Sequence, residues 1–283
     1  MHKKIIWISS YPKSGNTWVR SIITSLFLTN DGQFSFDLLK KIKYFDIKGH
    51  YNFVKDISLT DFENISIPEI NYKYRIEAQK NLKLTSGNFT FFKNHSSNLK
   101  YHNYDFTDEI TTLGSIYVIR DPRDVAVSFA NHAGVSYDKI IERMTNINEI
   151  TSSDNIMSLQ SSWDNHVNSW TKFKTHSLLL KYEDMIENNH KVLEKMIKFF
   201  STNLKIPFDH KIKIINSVVK STSFAKLKDM ETKEGFEESM KKKDKPFFFR
   251  KGETNQWKNI LSLGQVKKIE QSFNKTMIQF GYL

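Results

Sequence analysis

Cysteine is absent from the 283 residues. That excludes disulfides and thiolate metal sites, and it fits a reducing compartment. Proline and glycine are scarce, at 5 and 10 residues. No Pro/Gly/Ser-rich stretch divides the chain, so a single domain over 1–283 is expected. Long apolar runs are also missing. The longest, at 22–28, is broken by Thr24 and Ser25 and falls far short of the roughly 20 residues that span a bilayer. No apolar h-region with a small-residue cleavage site precedes the first strand pattern. No metal-ligand spacing stands out. The expectation is a cytoplasmic protein with no membrane span and no metal.

What is present suits a globular protein: 39% apolar and 26% charged residues, in a chain long enough for a buried core. Basic residues outnumber acidic ones by 42 to 31, a net +11. Such a surface attracts nucleic acid, anionic lipid or a multiply charged cofactor, and it equally suits a solvated face with no specific partner. No recognisable nucleic-acid module appears.

Strand-like runs at 4–9, 90–93, 115–120 and 177–182 alternate with helical spacing at 17–28, 124–133, 158–175, 191–201 and 211–219. A final amphipathic helix is expected at 263–280. Apolar strands alternating with helices predict an α/β fold, a parallel β-sheet with helices on both faces. In such sheets ligands sit beyond the carboxyl ends of the strands. The stretch 34–74 is aromatic and charged with weak periodicity, and 228–245 is dense in Lys and Glu.

The first strand runs into Tyr11-Pro12-Lys13-Ser14-Gly15-Asn16-Thr17-Trp18 and then into a helix pattern. A strand, a tight turn and a helix start form an anion cradle of free N–H groups. Gly15 allows close approach of the backbone. Ser14, Asn16 and Thr17 add side-chain donors, and Lys13 adds a mobile charge. The pattern is not GxxxxGK[ST], because the lysine precedes the glycine. An N-capped surface turn is the plainer alternative.

This segment resembles the 5′-phosphosulfate loop of the sulfotransferases, usually YPKSGTTW, with Asn16 as the one departure. The resemblance implies a P-loop-kinase-like sulfotransferase fold. It also implies transfer of a sulfuryl group from 3′-phosphoadenylyl sulfate (PAPS) to an acceptor hydroxyl or amine, with adenosine 3′,5′-bisphosphate (PAP) as product. Further segments extend it over most of the chain. Phe91-Phe92-Lys93-Asn94-His95 is similar to the family's K-T-H motif, whose histidine is the general base; a histidine after a strand is otherwise a common structural feature. Arg120 at a strand end and Ser128 in the next helix match the 3′-phosphate element, as do Arg250, Lys251 and Gly252, which precede Trp257-Lys258-Asn259. There the family's Gly-Asp pair is replaced by Asn255-Gln256. Asp124 is read as a helix-start charge with no ligand role. Tyr182 of Tyr182-Glu183-Asp184-Met185 and Ser223-Phe224 would lie beside the nucleotide, and Trp18 would stack on adenine.

The resemblance further implies an acceptor-side excursion at 34–87 and a mobile lid at 228–249. Lys13, Lys93 and His95 would be catalytic: the lysines on the leaving phosphate, His95 on the acceptor proton, with no metal. The acceptor is a small molecule, lipid or glycan, and nucleic acid is not expected as a partner. The family's C-terminal dimer segment is not recognisable after Lys258, which leaves the oligomeric state open. Two other classes remain possible on the residues alone: a phosphoryl-transfer enzyme on a related unit, and a basic nucleic-acid-binding protein.

Overall fold

Ile5-Ile6-Trp7-Ile8 alternates its side chains between two apolar layers, as a strand buried on both faces must. Ile5 and Trp7 pack into one core cluster with Trp163 and Trp170. Ile6 and Ile8 pack into the other with Trp18, Ile22 and Leu180. The computed structural model describes residues 4–84, 87–153, 155–208, 214–239 and 247–283.

Four strands, β1 (Ile5–Ser10), β2 (Thr90–Asn94), β3 (Thr112–Ile119) and β6 (Ser177–Lys181), form one sheet in the order β2-β1-β3-β6. All its pairings are parallel. β4 (Ile150–Ser153) and β5 (Ile156–Leu159) form a separate antiparallel hairpin. The helices are α1 (Asn16–Leu28), α2 (Phe36–Leu39), α3 (Leu59–Glu63), α4 (Pro68–Lys80), α5 (Pro122–Ala133), α6 (Tyr137–Thr145), α7 (Trp163–Thr171), α8 (Tyr182–Glu187), α9 (Asn189–Lys198), α10 (Ile215–Ser221), α11 (Phe224–Glu234) and α12 (Leu263–Gln279). They cover both faces of the sheet, the expected α/β architecture.

Register decides where the chemistry lies. Ser9 pairs with Asn94, Ser10 with Val118, and Ile119 with Lys181. The turns after β1, β2, β3 and β6 therefore leave the sheet at one edge. They carry Lys13, His95, Arg120 and Tyr182.

The helix expected over 158–175 starts only at Trp163, because Ile156–Leu159 pairs with Ile150–Ser153 instead. Cross-strand pairing overrides the helical spacing there. The weakly periodic stretch 34–74 holds α2, α3, a 3₁₀ segment Lys48–Asp56 and the start of α4. A buried ion pair anchors it: Arg75 of α4 donates to Asp46, to Asn71 at 2.8 Å and to Ser158 of β5 at 2.8 Å. The expected lid is helical through Glu234 in α11, and its residues 240–246 lie outside the described residues.

Candidate active site

Two backbone positions in the loop after β1 are left-handed, Lys13 at φ 66° and Gly15 at φ 110°. A Cβ at Gly15 would stand 2.8 Å from Tyr182 Cδ2. The position thus requires glycine on both conformational and steric grounds. The Ser14 hydroxyl is buried with no hydrogen-bond partner among the described residues. Asn16 lines the cavity, but its amide turns back and donates to the Ile8 carbonyl at 2.9 Å. It pins the loop to the strand rather than offering that donor outward. Lys13 Nζ rests 3.6 Å from the centroid of the Phe248 ring. Burial, with the Arg120 charge beside it, lowers its pKa to about 7 despite opposing pulls from Glu238 and Glu231.

Trp18 is held in place by its neighbours. It is buried, donates Nε1–H to the Thr222 carbonyl at 2.7 Å, and meets Tyr182 and Phe224 edge-on with centroids 5.9 and 6.0 Å away. The three rings build an aromatic wall. Ser223 is the N-cap of α11, accepting from Lys226 N at 3.3 Å. It does not line the cavity, whereas Phe224 does.

At the end of β2, Lys93 and His95 both face the cavity. His95 Nδ1 lies 2.9 Å from the Ser10 carbonyl. A carbonyl only accepts, so Nδ1 carries the proton and Nε2 holds the free lone pair. Burial, opposed by the Ser10 bond and reinforced by the Lys93 charge, pushes the His95 pKa down to about 4. The imidazole is neutral at ordinary pH. Behind it, fully buried His166 donates Nε2–H to the His95 carbonyl at 3.2 Å and accepts from the Tyr117 hydroxyl at 2.9 Å.

Arg120 follows β3. Its guanidinium donates to the Lys13 carbonyl at 3.1 Å and the Glu253 carbonyl at 3.3 Å, and lies 4.1 Å over the Tyr182 ring. Its Nε is buried without a partner among the described residues. Asp124 accepts from Asn255 N at 2.7 Å and Trp257 N at 3.1 Å. It ties the late loop to α5, a structural role in keeping with the sequence. Asn255 takes φ 61°, a conformation that asparagine tolerates better than most residues. The turn that the family builds with glycine thus remains accessible here. Arg250 donates to Gln256 at 2.7 Å. Gly252 sits at φ 65°, where a Cβ would meet Phe224 Cδ1 at 2.4 Å.

One cavity of about 470 Å³ joins Lys13, Lys93, His95, Arg120, Tyr182 and Phe224. Gly15, Asn16, Thr17, Trp18, Ser128, Arg250, Lys251 and Gly252 also border it, whereas Ser14 and Ser223 do not. Of the described residues in 34–87, only Tyr44 reaches its wall. The far side is instead made by Phe129, His132, Arg143, Thr151, Ser152 and Gln160. Sequence reasoning missed these residues, and it missed Arg20 and Glu238, which meet beside Thr17. Arg20 carries a faint signal, a charge on an otherwise uncharged helix. Glu238 carries none. Among the described residues, no cluster of three His, Asp or Glu is placed to hold a metal ion, and no helix is long and apolar enough to cross a membrane.

A parallel sheet with an anion loop, basic side chains and a neutral histidine at its carboxyl edge defines a nucleotide-dependent group-transfer enzyme. The family model described as "Sulfotransferase domain" matches residues 3–281. The chain belongs to the sulfotransferase family. Sulfotransferase 1B1 of Canis lupus familiaris is 27% identical over 96% of this chain and 83% of its own length. Luciferin sulfotransferase of Photinus pyralis is 26% identical over 96% of this chain and 71% of its own. Among solved structures, mouse sulfotransferase SULT7A1 complexed with PAP superposes with a TM-score of 0.57 at 18% identity, covering 98% of this chain and 84% of that one. Retinol dehydratase with retinol and PAP gives 0.60 at 19% identity, covering 98% and 82%. Those two structures support the fold. The family match makes this chain an enzyme of sulfuryl transfer that uses a PAPS-type donor.

Proposed function

We propose that the cavity binds PAPS and that the enzyme moves its sulfuryl group in line to a hydroxyl or amine of a small-molecule, lipid or glycan acceptor, with His95 as general base. The observation that carries this reading is the convergence of Lys13, Lys93, Arg120 and a neutral His95 on one cavity. The residues fit the nucleotide. Arg120 borders the cavity with its Nε unpaired among the described residues, and the close approach at Gly15 and Gly252 shapes a cradle. The rings of Trp18, Tyr182 and Phe224 suit a purine.

When bound, the donor supplies the sulfuryl group and a bisphosphate leaving group. Arg120, Ser128, Arg250 and Lys251 hold its 3′-phosphate. The loop N–H groups and Thr17 hold the 5′-phosphate, where Lys13 and Lys93 neutralise the charge that develops as the bond to sulfur lengthens. His95 Nε2 takes the acceptor proton while the Ser10 carbonyl keeps the ring in its tautomer. Phe248 and Phe249 border the site and restrict water, a competing acceptor. The whole chain works as one catalytic unit.

Isothermal titration of the enzyme with PAP and with 5′-AMP tests the reading. Charge-assisted contacts are worth roughly 1.5–3 kcal/mol each in gross terms. PAP should therefore bind at least about tenfold more tightly than 5′-AMP. Equal affinities would overturn the 3′-phosphate assignment.

A further inference from the structure

Glu238 stands just beyond α11, and its carboxylate meets donors from two distant elements. Thr17 Oγ1 donates to Oε2 at 3.2 Å, and Arg20 Nη1 approaches Oε1 at 2.9 Å and Oε2 at 3.2 Å. Lys93 Nζ donates to Oε1 at 2.7 Å. Burial works against the ion, but the Arg20 and Lys93 charges and their hydrogen bonds outweigh it and hold the pKa at about 2. The group is an anion at every working pH. It sits on Thr17 and Lys93, two residues that the proposed function assigns to the charged end of the donor.

The two partners differ in burial. Arg20 is 2% exposed and its Nη2 is fixed to the Leu39 carbonyl at 3.1 Å. Glu238 is on a turn after Gly235 at φ 74°, with 30% of its side chain exposed. It also stands in a partition. Glu238, Lys93 and Tyr44 line both the main cavity and a second one of about 760 Å³, whose walls include Arg20, Lys40 and Lys43, so Glu238 stands between Arg20 and the main cavity. Two anions cannot share one set of three donors without strong mutual repulsion.

We propose that Glu238 is a resident competitor of the donor: its carboxylate fills the anion seat formed by Thr17, Arg20 and Lys93 before the donor binds, and nucleotide displaces it toward the second cavity, leaving Arg20 to face the donor's charged end. The inference rests on the proposed function, and it adds two residues to that site. The contact also keeps Lys93 engaged until the donor arrives.

Titration of wild type and Glu238→Gln with PAP and with 3′-AMP tests it. The second nucleotide lacks the 5′-phosphate and has no claim on the seat. Glu238→Gln should bind PAP about tenfold more tightly, equivalent to about 1.4 kcal/mol, with 3′-AMP unchanged. Adding Arg20→Met to that variant should remove the gain. Glu238→Ala repeats the test with the side chain gone altogether. PAP affinity that is unchanged or weaker in both Glu238 variants makes the contact a structural latch and overturns the proposal. Equal tightening of both nucleotides also overturns it, because that is a general field effect. A wild-type protein that binds neither nucleotide overturns the functional reading itself.

Discussion

His95→Ala leaves PAP binding nearly intact and slows sulfuryl transfer by about 10²–10⁴-fold, the usual scale for loss of a general base. The separation is expected because the Ser10 contact uses Nδ1, which leaves the Nε2 lone pair for the acceptor proton. The pH profile gives a second reading. With the His95 pKa at about 4, kcat/KM should fall as pH drops through about 4, not near 6.5. Lys13, at about 7, loses its charge as pH rises, so kcat/KM should also fall above about 7. Bound donor restores that charge by Coulomb attraction, and the alkaline limb of kcat should lie higher. Wild-type turnover in the His95 variant, measured on a true acceptor, would assign the base elsewhere.

The same histidines bear on stability. Folded His95 titrates at about 4 and folded His166 at about 3, both lowered chiefly by burial from an unfolded value of 6.5. Between pH 6.5 and about 3 the unfolded chain binds more protons than the folded one. Stability from these two groups is therefore fully present above 6.5 and is lost progressively as pH falls through that window.

Asp46→Ala should destabilise the fold by about 3–5 kcal/mol, since it strands the buried guanidinium of Arg75 without its counter-charge. The corresponding drop in Tm is on the order of 10 °C. Asp46→Asn, which keeps an acceptor oxygen, should lose less. The network reaches the cavity wall: Arg75 bonds Ser158 at 2.8 Å, and Ser158 is in register with Thr151 on the facing strand. Urea unfolding of both variants measures the effect, and a loss below about 1 kcal/mol would make the pair no more valuable than a solvated one.

Much of the fold was legible because its signals are local. Short runs of Ile, Val, Leu and Phe mark the four sheet strands, and each ends where a Lys, His, Arg or Tyr turns toward the ligand edge. The exceptions are also instructive. The β4–β5 hairpin disguised itself within a helix-like spacing, because strand pairing is a non-local contact that periodicity does not report. Trp18 is tied to the Thr222 carbonyl, a partner that local spacing does not record, since a buried indole N–H must find an acceptor. Ser223 serves as a helix cap for the same kind of reason.

By itself the sequence determined the sheet, the loop around Gly15 and the basic side chains at the strand ends, because strand runs, left-handed glycines and end-of-strand residues act within a few positions of one another. Only the tertiary structure decided that Asn16 turns inward to Ile8, that His95 offers Nε2, and that the far wall is built by Phe129, Arg143 and Thr151 more than by 34–87. It also decided that Glu238 rests on Arg20 and Lys93. Each of these depends on burial and on partners far away in the chain, where the cost of desolvating a polar group selects its contact and no local spacing records the choice.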